Sequence, residues 1–217
     1  MLVPGRVVAY RLMTEYALNY LKGRTGARRV ARPRSDGKRK AILAAALRVF
    51  AERGVGNTPT SAISEAAGVA EGSLFTYFAT KAELINELYS ELRREFDRQL
   101  MDLPAQANAQ ARLRFIWDKF VNLWISQPER LTVIRQIRAS GKLLKENERP
   151  GAMVLETLGA TRDAVTGGAL HEAPLEFLVL QLRAQAEATI EFILAHPEQE
   201  AECREMGFNL ILKGLTG

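Results

Sequence analysis

At 217 residues the chain is long enough to bury a sizeable core, and 47% hydrophobic with 25% charged content excludes a disordered polymer. No apolar run has the length of a bilayer crossing, so we expect a cytoplasmic protein without a membrane partner. One cysteine, Cys203, excludes an internal disulfide framework and reads as a small buried apolar residue in a reducing compartment. The net charge of +5 is unevenly spread: residues 1–40 hold eleven Lys and Arg against Glu15 and Asp36, which leaves the remainder acidic.

Residues 1–35 form a basic N-terminal extension that we expect to be flexible. Met1 to Leu21 has scattered apolar residues broken by Arg6, Arg11 and Glu15, which fits neither a signal peptide nor a span. Gly23 to Arg34 is basic and interrupted by Gly26 and Pro33. Three readings stay open: an arm for DNA phosphates or the minor groove, a tail without a specific role, or an untranslated stretch upstream of a start such as Met13.

Asp36 to Gly54 is predicted to be the first helix, with Ile42, Leu43, Ala46, Leu47 and Phe50 at helical spacing and Lys38, Arg39 and Lys40 at its start. Next comes the stretch Thr58 to Lys81, read as a helix, a tight turn and a second helix. Pro59 suits a first helical position, with Thr58 as its N-cap. Ile63, Ala66 and Ala67 are expected to point inward, and Gly68 to end the helix with a positive φ. Ala70, Glu71, Gly72 and Ser73 open the second helix, whose apolar side is expected to be Leu74, Phe75, Tyr77 and Phe78. This is the pattern of a helix-turn-helix over about 59–78, in which the second helix enters the major groove of DNA. The same spacing also fits an ordinary αα-hairpin.

A longer helix is predicted from about Lys81 to Met101, with Leu84, Ile85, Leu88, Tyr89, Leu92 and Phe96 on its buried face. Lys81 sits in its first turn, where a cation opposes the helix dipole unless a phosphate binds there. Asp102 to Asn108, with Pro104, reads as a boundary. Beyond it we expect a helix carrying Leu113, Ile116, Trp117, Phe120, Val121 and Trp124. Further helices are expected from Pro128 to Ser140, from Glu148 to Thr166, from Pro174 to His196 and from Glu198 to Leu215. Gly167-Gly168 breaks the chain. The expected fold class is all-α.

No catalytic constellation is visible, and we expect no enzyme. The two histidines, His171 and His196, have no partner at metal-ligand spacing, and no phosphate-binding loop or nucleophile elbow occurs. No metal or cofactor is expected.

The residues Ile42-Leu43, Ala46, Phe50 and Gly54, followed by Ile63, Ala67-Gly68-Val69, Gly72, Leu74-Phe75, Tyr77-Phe78, Lys81 and Leu84, resemble the DNA-binding domain of TetR-family transcriptional repressors. The resemblance covers about residues 36–96 and is weak over the C-terminal half. It implies a helix-turn-helix domain at 36–96 and a helical ligand-binding and dimerisation domain at 97–217. It implies contact with double-stranded DNA, a palindromic operator, through Lys38, Arg39, Lys40, Thr60, Ser61, Ala70, Glu71, Gly72, Ser73, Phe75, Thr76, Tyr77 and Lys81. Phe75 stands where the family usually has tyrosine, and Glu71 is acidic where many relatives are basic or neutral. Glu71 either reads a cytosine amino group or turns to solvent.

The resemblance also implies a homodimer and a small-molecule effector. Trp117, Phe120, Trp124, Ile134, Ile137, Met153 and Leu182 are candidates to line the effector pocket, or are plain core. Ala184, Ala188 and Phe192, with Met206 and Leu210, are candidates for the dimer face. Two other readings remain open. One is an architectural DNA binder led by the basic arm. The other is a helical small-molecule binder without DNA binding.

Overall fold

The computed structural model describes residues 36–104, 107–163 and 172–216. The N-terminal extension, Gly167-Gly168 and His171 lie outside the described residues. The regular elements among those described are all helical, so the fold is all-α.

Helix α1 (Asp36–Arg53) buries Ile42, Leu43, Ala46 and Phe50 of the predicted stripe, while Leu47 is only half-buried and Ala45 and Val49 are buried instead. Gly54 stops it at φ 83°, with its N–H on the Phe50 carbonyl at 2.9 Å. Two short helices follow, α2 (Thr60–Ala66) and α3 (Glu71–Tyr77), which pack on each other. Gly68, at φ 65°, makes the tight turn between them.

Three local expectations are corrected here. Thr58 does not cap α2: its hydroxyl donates backwards to the Gly54 carbonyl at 2.7 Å, and the extended Pro59 becomes the N-cap. Ala66 is exposed and Ser64 takes the buried position beside Ile63, its hydroxyl donating to the Ser61 carbonyl at 2.9 Å. Phe75 leaves the apolar side of α3 and stands 43% exposed, while Leu74 and Phe78 are buried.

Helix α4 (Lys81–Gln99) starts from a reciprocal cap. Thr80 Oγ1 accepts from the Glu83 N–H at 3.0 Å, and the Glu83 carboxylate accepts from the Ala79 N–H at 2.7 Å. Leu84, Ile85, Leu88, Tyr89 and Leu92 are buried along it. Asn108 caps α5 (Ala109–Ser126) by accepting from the Ala111 N–H at 2.8 Å. Pro128 opens α6 (Pro128–Ala139), and Gly141, at φ 65°, turns the chain after it.

The remaining elements are α7 (Lys145–Glu148), α8 (Ala152–Asp163), α9 (Leu175–Ala195), a 3-10 turn (Pro197–Gln199) and α10 (Glu200–Thr216). Helix α9 packs on α5, α8 and α10, while α4 packs on α5, α6 and α7. Trp117, Leu158, Ile190 and Phe208 join the core between these layers. Cys203 is a free thiol and only half-buried, because α10 lies at the edge of the packed layers. The described residues from Gly37 onward make up one compact unit.

Candidate functional site

The helix-turn-helix is built on its buried side and bare on the other. Ile63, Leu74 and Phe78 anchor α2 and α3 to α1. Arg48 of α1 donates to the Ala66 carbonyl at 3.1 Å, which satisfies an end carbonyl of α2. On the outer side Ser61, Ala70, Glu71, Gly72, Phe75 and Thr76 are exposed, and Thr60, Ser73, Tyr77 and Lys81 are half-exposed. The Thr60 hydroxyl donates to Glu71 Oε1 at 3.0 Å, which ties the first residue of α3 to the first of α2. The Thr76 hydroxyl is turned back onto the Gly72 carbonyl at 3.0 Å.

The basic residues differ in freedom. Lys38 and Lys40 are exposed. Arg39 is engaged inside the domain, in an ion pair with Glu87 and over the Phe78 ring at 5.6 Å. Lys81 Nζ donates to the Gly56 carbonyl at 3.2 Å and lies 6.0 Å over the Phe50 ring. Burial, and then the charge of Lys142, push its pKa below the ordinary lysine value. An anion beside Lys81 would relieve that.

A cavity of about 440 Å³ opens among α4, α5, α6, α8 and α9. Of the seven residues proposed for a pocket from sequence, Trp117, Phe120, Trp124, Ile134 and Leu182 line it. Ile137 is fully buried in the core and Met153 packs against the core, neither of them in the lining. Of the polar lining, Arg183 lies on the long helix from Pro174, where Gln181, Arg183, Gln185 and Glu187 read in sequence as facing either a ligand or a solvated or dimer face, while Tyr89, Arg93 and Arg138 were not legible as pocket residues. Tyr89, Arg93, Arg138 and Arg183 come from three helices far apart in the chain, and no local pattern joins them.

Residues 42–88 match the family model described as bacterial regulatory proteins, tetR family. Over these residues the chain is similar to the DNA-binding domain of that family. The fatty acid metabolism regulator protein of Bacillus subtilis is 30% identical over 97 residues, which is 44% of this chain and 50% of that protein. The chain thus spans about half the length of that curated relative. A TetR-family transcription regulator of Shewanella sp. PV-4 superposes with TM-score 0.73 at 23% identity, covering 83% of this chain and 98% of that one. FadR of Bacillus subtilis, solved in complex with stearoyl-CoA, gives TM-score 0.59 at 16% identity, covering 81% and 98%. At these identities the structural likeness concerns the fold.

A further surface lies on α9 and α10. Ala184, Ala188, Phe192, Met206 and Leu210 are all exposed, the last two by 54% and 57%. His196 stacks on Phe192 with ring centroids 4.3 Å apart. Among the described residues no group of three or more His, Cys, Asp or Glu is placed to hold a metal ion, and no helix is long and apolar enough to cross a membrane.

Proposed function

We propose that this chain is a sequence-specific DNA-binding transcriptional regulator, a repressor released from a palindromic operator by a small molecule bound in the cavity. The observation that carries the reading is the outer side of α2 and α3. Glu71, Gly72, Phe75 and Thr76 project from a helix held rigidly by Leu74 and Phe78, which suits entry into a major groove. Residues 36–96 form the reading domain in this account and residues 97–217 the ligand-binding and dimerisation domain. Lys38, Lys40 and Lys81 supply phosphate contacts, which position the domain without specifying sequence.

The exposure of Phe192 on α9 and of Met206 and Leu210 on α10 supports a homodimer, since large apolar side chains on a surface favour burial against a partner. Two reading helices one turn of B-DNA apart would then read both halves of a palindrome. The regulator acts by binding rather than catalysis, and works in the cytoplasm. FadR's complex with stearoyl-CoA supports a cavity ligand of metabolic origin here.

The test is selection of bound sequences from a random duplex pool by the full-length protein, paired with sedimentation of wild type and Phe192→Glu. Enrichment of one palindrome by a dimer, lost in the monomeric variant, is the expected result. A pool that stays random overturns the reading.

A further inference from the structure

The cavity has two chemically distinct sides. Trp117, Phe120 and Trp124 of α5, with Ile134, Val154 and Leu182, give it an apolar body. Against them, among the described residues, stand five cations, Arg93, Arg138, Lys145, Arg149 and Arg183, and two carboxylates, Asp97 and Glu176. An excess of positive charge beside an apolar chamber is costly unless something of opposite sign completes it.

The imbalance centres on Arg183. Among the described residues its carboxylate neighbour is Glu187, at 3.9 Å. Glu187 is already held by Arg138 at 2.7 Å and by Arg135 at 3.0 Å. Glu187 thus serves three guanidinium groups; Arg135 has Glu191 at 3.4 Å besides, whereas the other two, Arg138 and Arg183, line the cavity. Burial first, and the Arg138 charge second, push Arg183 below the ordinary arginine pKa. Arg138 also donates to the Tyr89 hydroxyl at 3.3 Å, and Arg93 lies one helical turn further along α4. Tyr89, Arg93, Arg138 and Arg183 make up the polar side of the lining. In addition, the indole N–H groups of Trp117 and Trp124 have no hydrogen-bond partner among the described residues.

We propose that the cavity takes an amphipathic anion, its long apolar chain against Trp117, Phe120 and Trp124 and its carboxylate or phosphate head on Arg183 and Arg138. This rests on the cavity being the effector site of the proposed regulator. The head group supplies the missing negative charge, and the planar guanidinium forks suit its oxygens. The apolar chain supplies the burial that gives affinity. Neutral lipids of the same length lack the first term, and cationic ones meet repulsion.

Both tryptophans of the chain line this cavity, so intrinsic fluorescence reads occupancy. The full-length protein is titrated with hexadecanoate, hexadecyl phosphate, hexadecanol and hexadecyltrimethylammonium, each below its aggregation threshold. At least one anion is expected to bind about tenfold or more tighter than hexadecanol, with the cation weakest. The tighter anion tells a carboxylate head from a phosphate head. Arg183→Gln should erase the advantage of the anion and leave hexadecanol unchanged, while Arg183→Lys should keep most of it. Equal binding of anion, alcohol and cation overturns the proposal, and this comparison needs no variant to fold. So does an Arg183→Gln protein of unaltered melting temperature that binds anions like wild type. The duplex selection is run on the same preparation. An enriched operator without anion preference overturns the ligand class alone. Anion binding without an operator overturns the regulator reading and leaves the site.

Discussion

The backbone N–H of Val55 donates to Oε1 of Gln136 at 3.0 Å. This joins the turn after α1 to the middle of α6. Ile134 and Arg138, on either side of Gln136 in the chain, line the cavity. Residues two apart on a helix point about 200° from each other, so α6 shows one face to the cavity and the other to the helix-turn-helix. Val55 is buried, and Gln136→Ala would strand its N–H at a cost of about 1–3 kcal/mol. The expected outcome is a melting temperature lower by several degrees, at roughly 2–4 °C per kcal/mol for a chain of this size. Gln136→Glu, which keeps the acceptor, should lose less. Equal melting of Gln136→Ala and wild type would mean that this bond contributes nothing.

Gly207 of α10 is a packing requirement. A Cβ there would meet the Thr189 hydroxyl and stand 2.8 Å and 2.9 Å from two carbons of the Trp117 ring. Thr189 and Trp117 are both buried and have little room to give way. Gly207→Ala should destabilise by about 1–3 kcal/mol and alter tryptophan emission, measured by thermal melting and fluorescence. Wild-type values for both would sink the argument.

Asp97 in the cavity wall gives a pH prediction. Burial raises its carboxyl pKa above the ordinary value, against the smaller opposing effect of Arg93. A group whose folded pKa is raised contributes stability below its unfolded pKa and loses it as pH rises through the folded value. Asp97→Asn removes that loss. The variant should melt higher than wild type at neutral pH and show no gain in acid below the ordinary aspartate range. A gain of equal size at both pH values would contradict the assignment.

Glu71 is held by the Thr60 hydroxyl, which fixes where its carboxylate stands on the reading surface. We expect Glu71→Gln to relax preference at one base pair of the selected operator, by about 1–3 kcal/mol. Lys81→Ala should instead weaken all duplexes alike and reduce the salt slope by about one. Binding to singly varied sites at several salt concentrations separates the two. An unchanged preference in Glu71→Gln removes it from the base-reading set.

What could be read in sequence was what local chemistry decides. The left-handed turn at Gly68, the stop at Gly54 and the Pro128 start follow from neighbours within a few residues. Thr58 and Phe75 depart from expectation because a carbonyl four residues back captures the first and the second lies on the exposed side of α3. The Glu83 cap of α4 was present in the sequence pattern and passed over. The cation wall was beyond reach. Arg138 and Arg183 meet at Glu187 only when α6 lies on α9, and no spacing rule encodes that.

Helix α10 acts as a partition one residue thick. Gly207 and Phe208 press on Trp117 from one side, the two rings 6.2 Å apart, while Met206 and Leu210 look outward from the other. There is no slack between them, because the glycine has already given up its only side-chain atom. A larger residue at position 207 would therefore have to push either the Trp117 indole or the helix itself, and with the helix Met206 and Leu210.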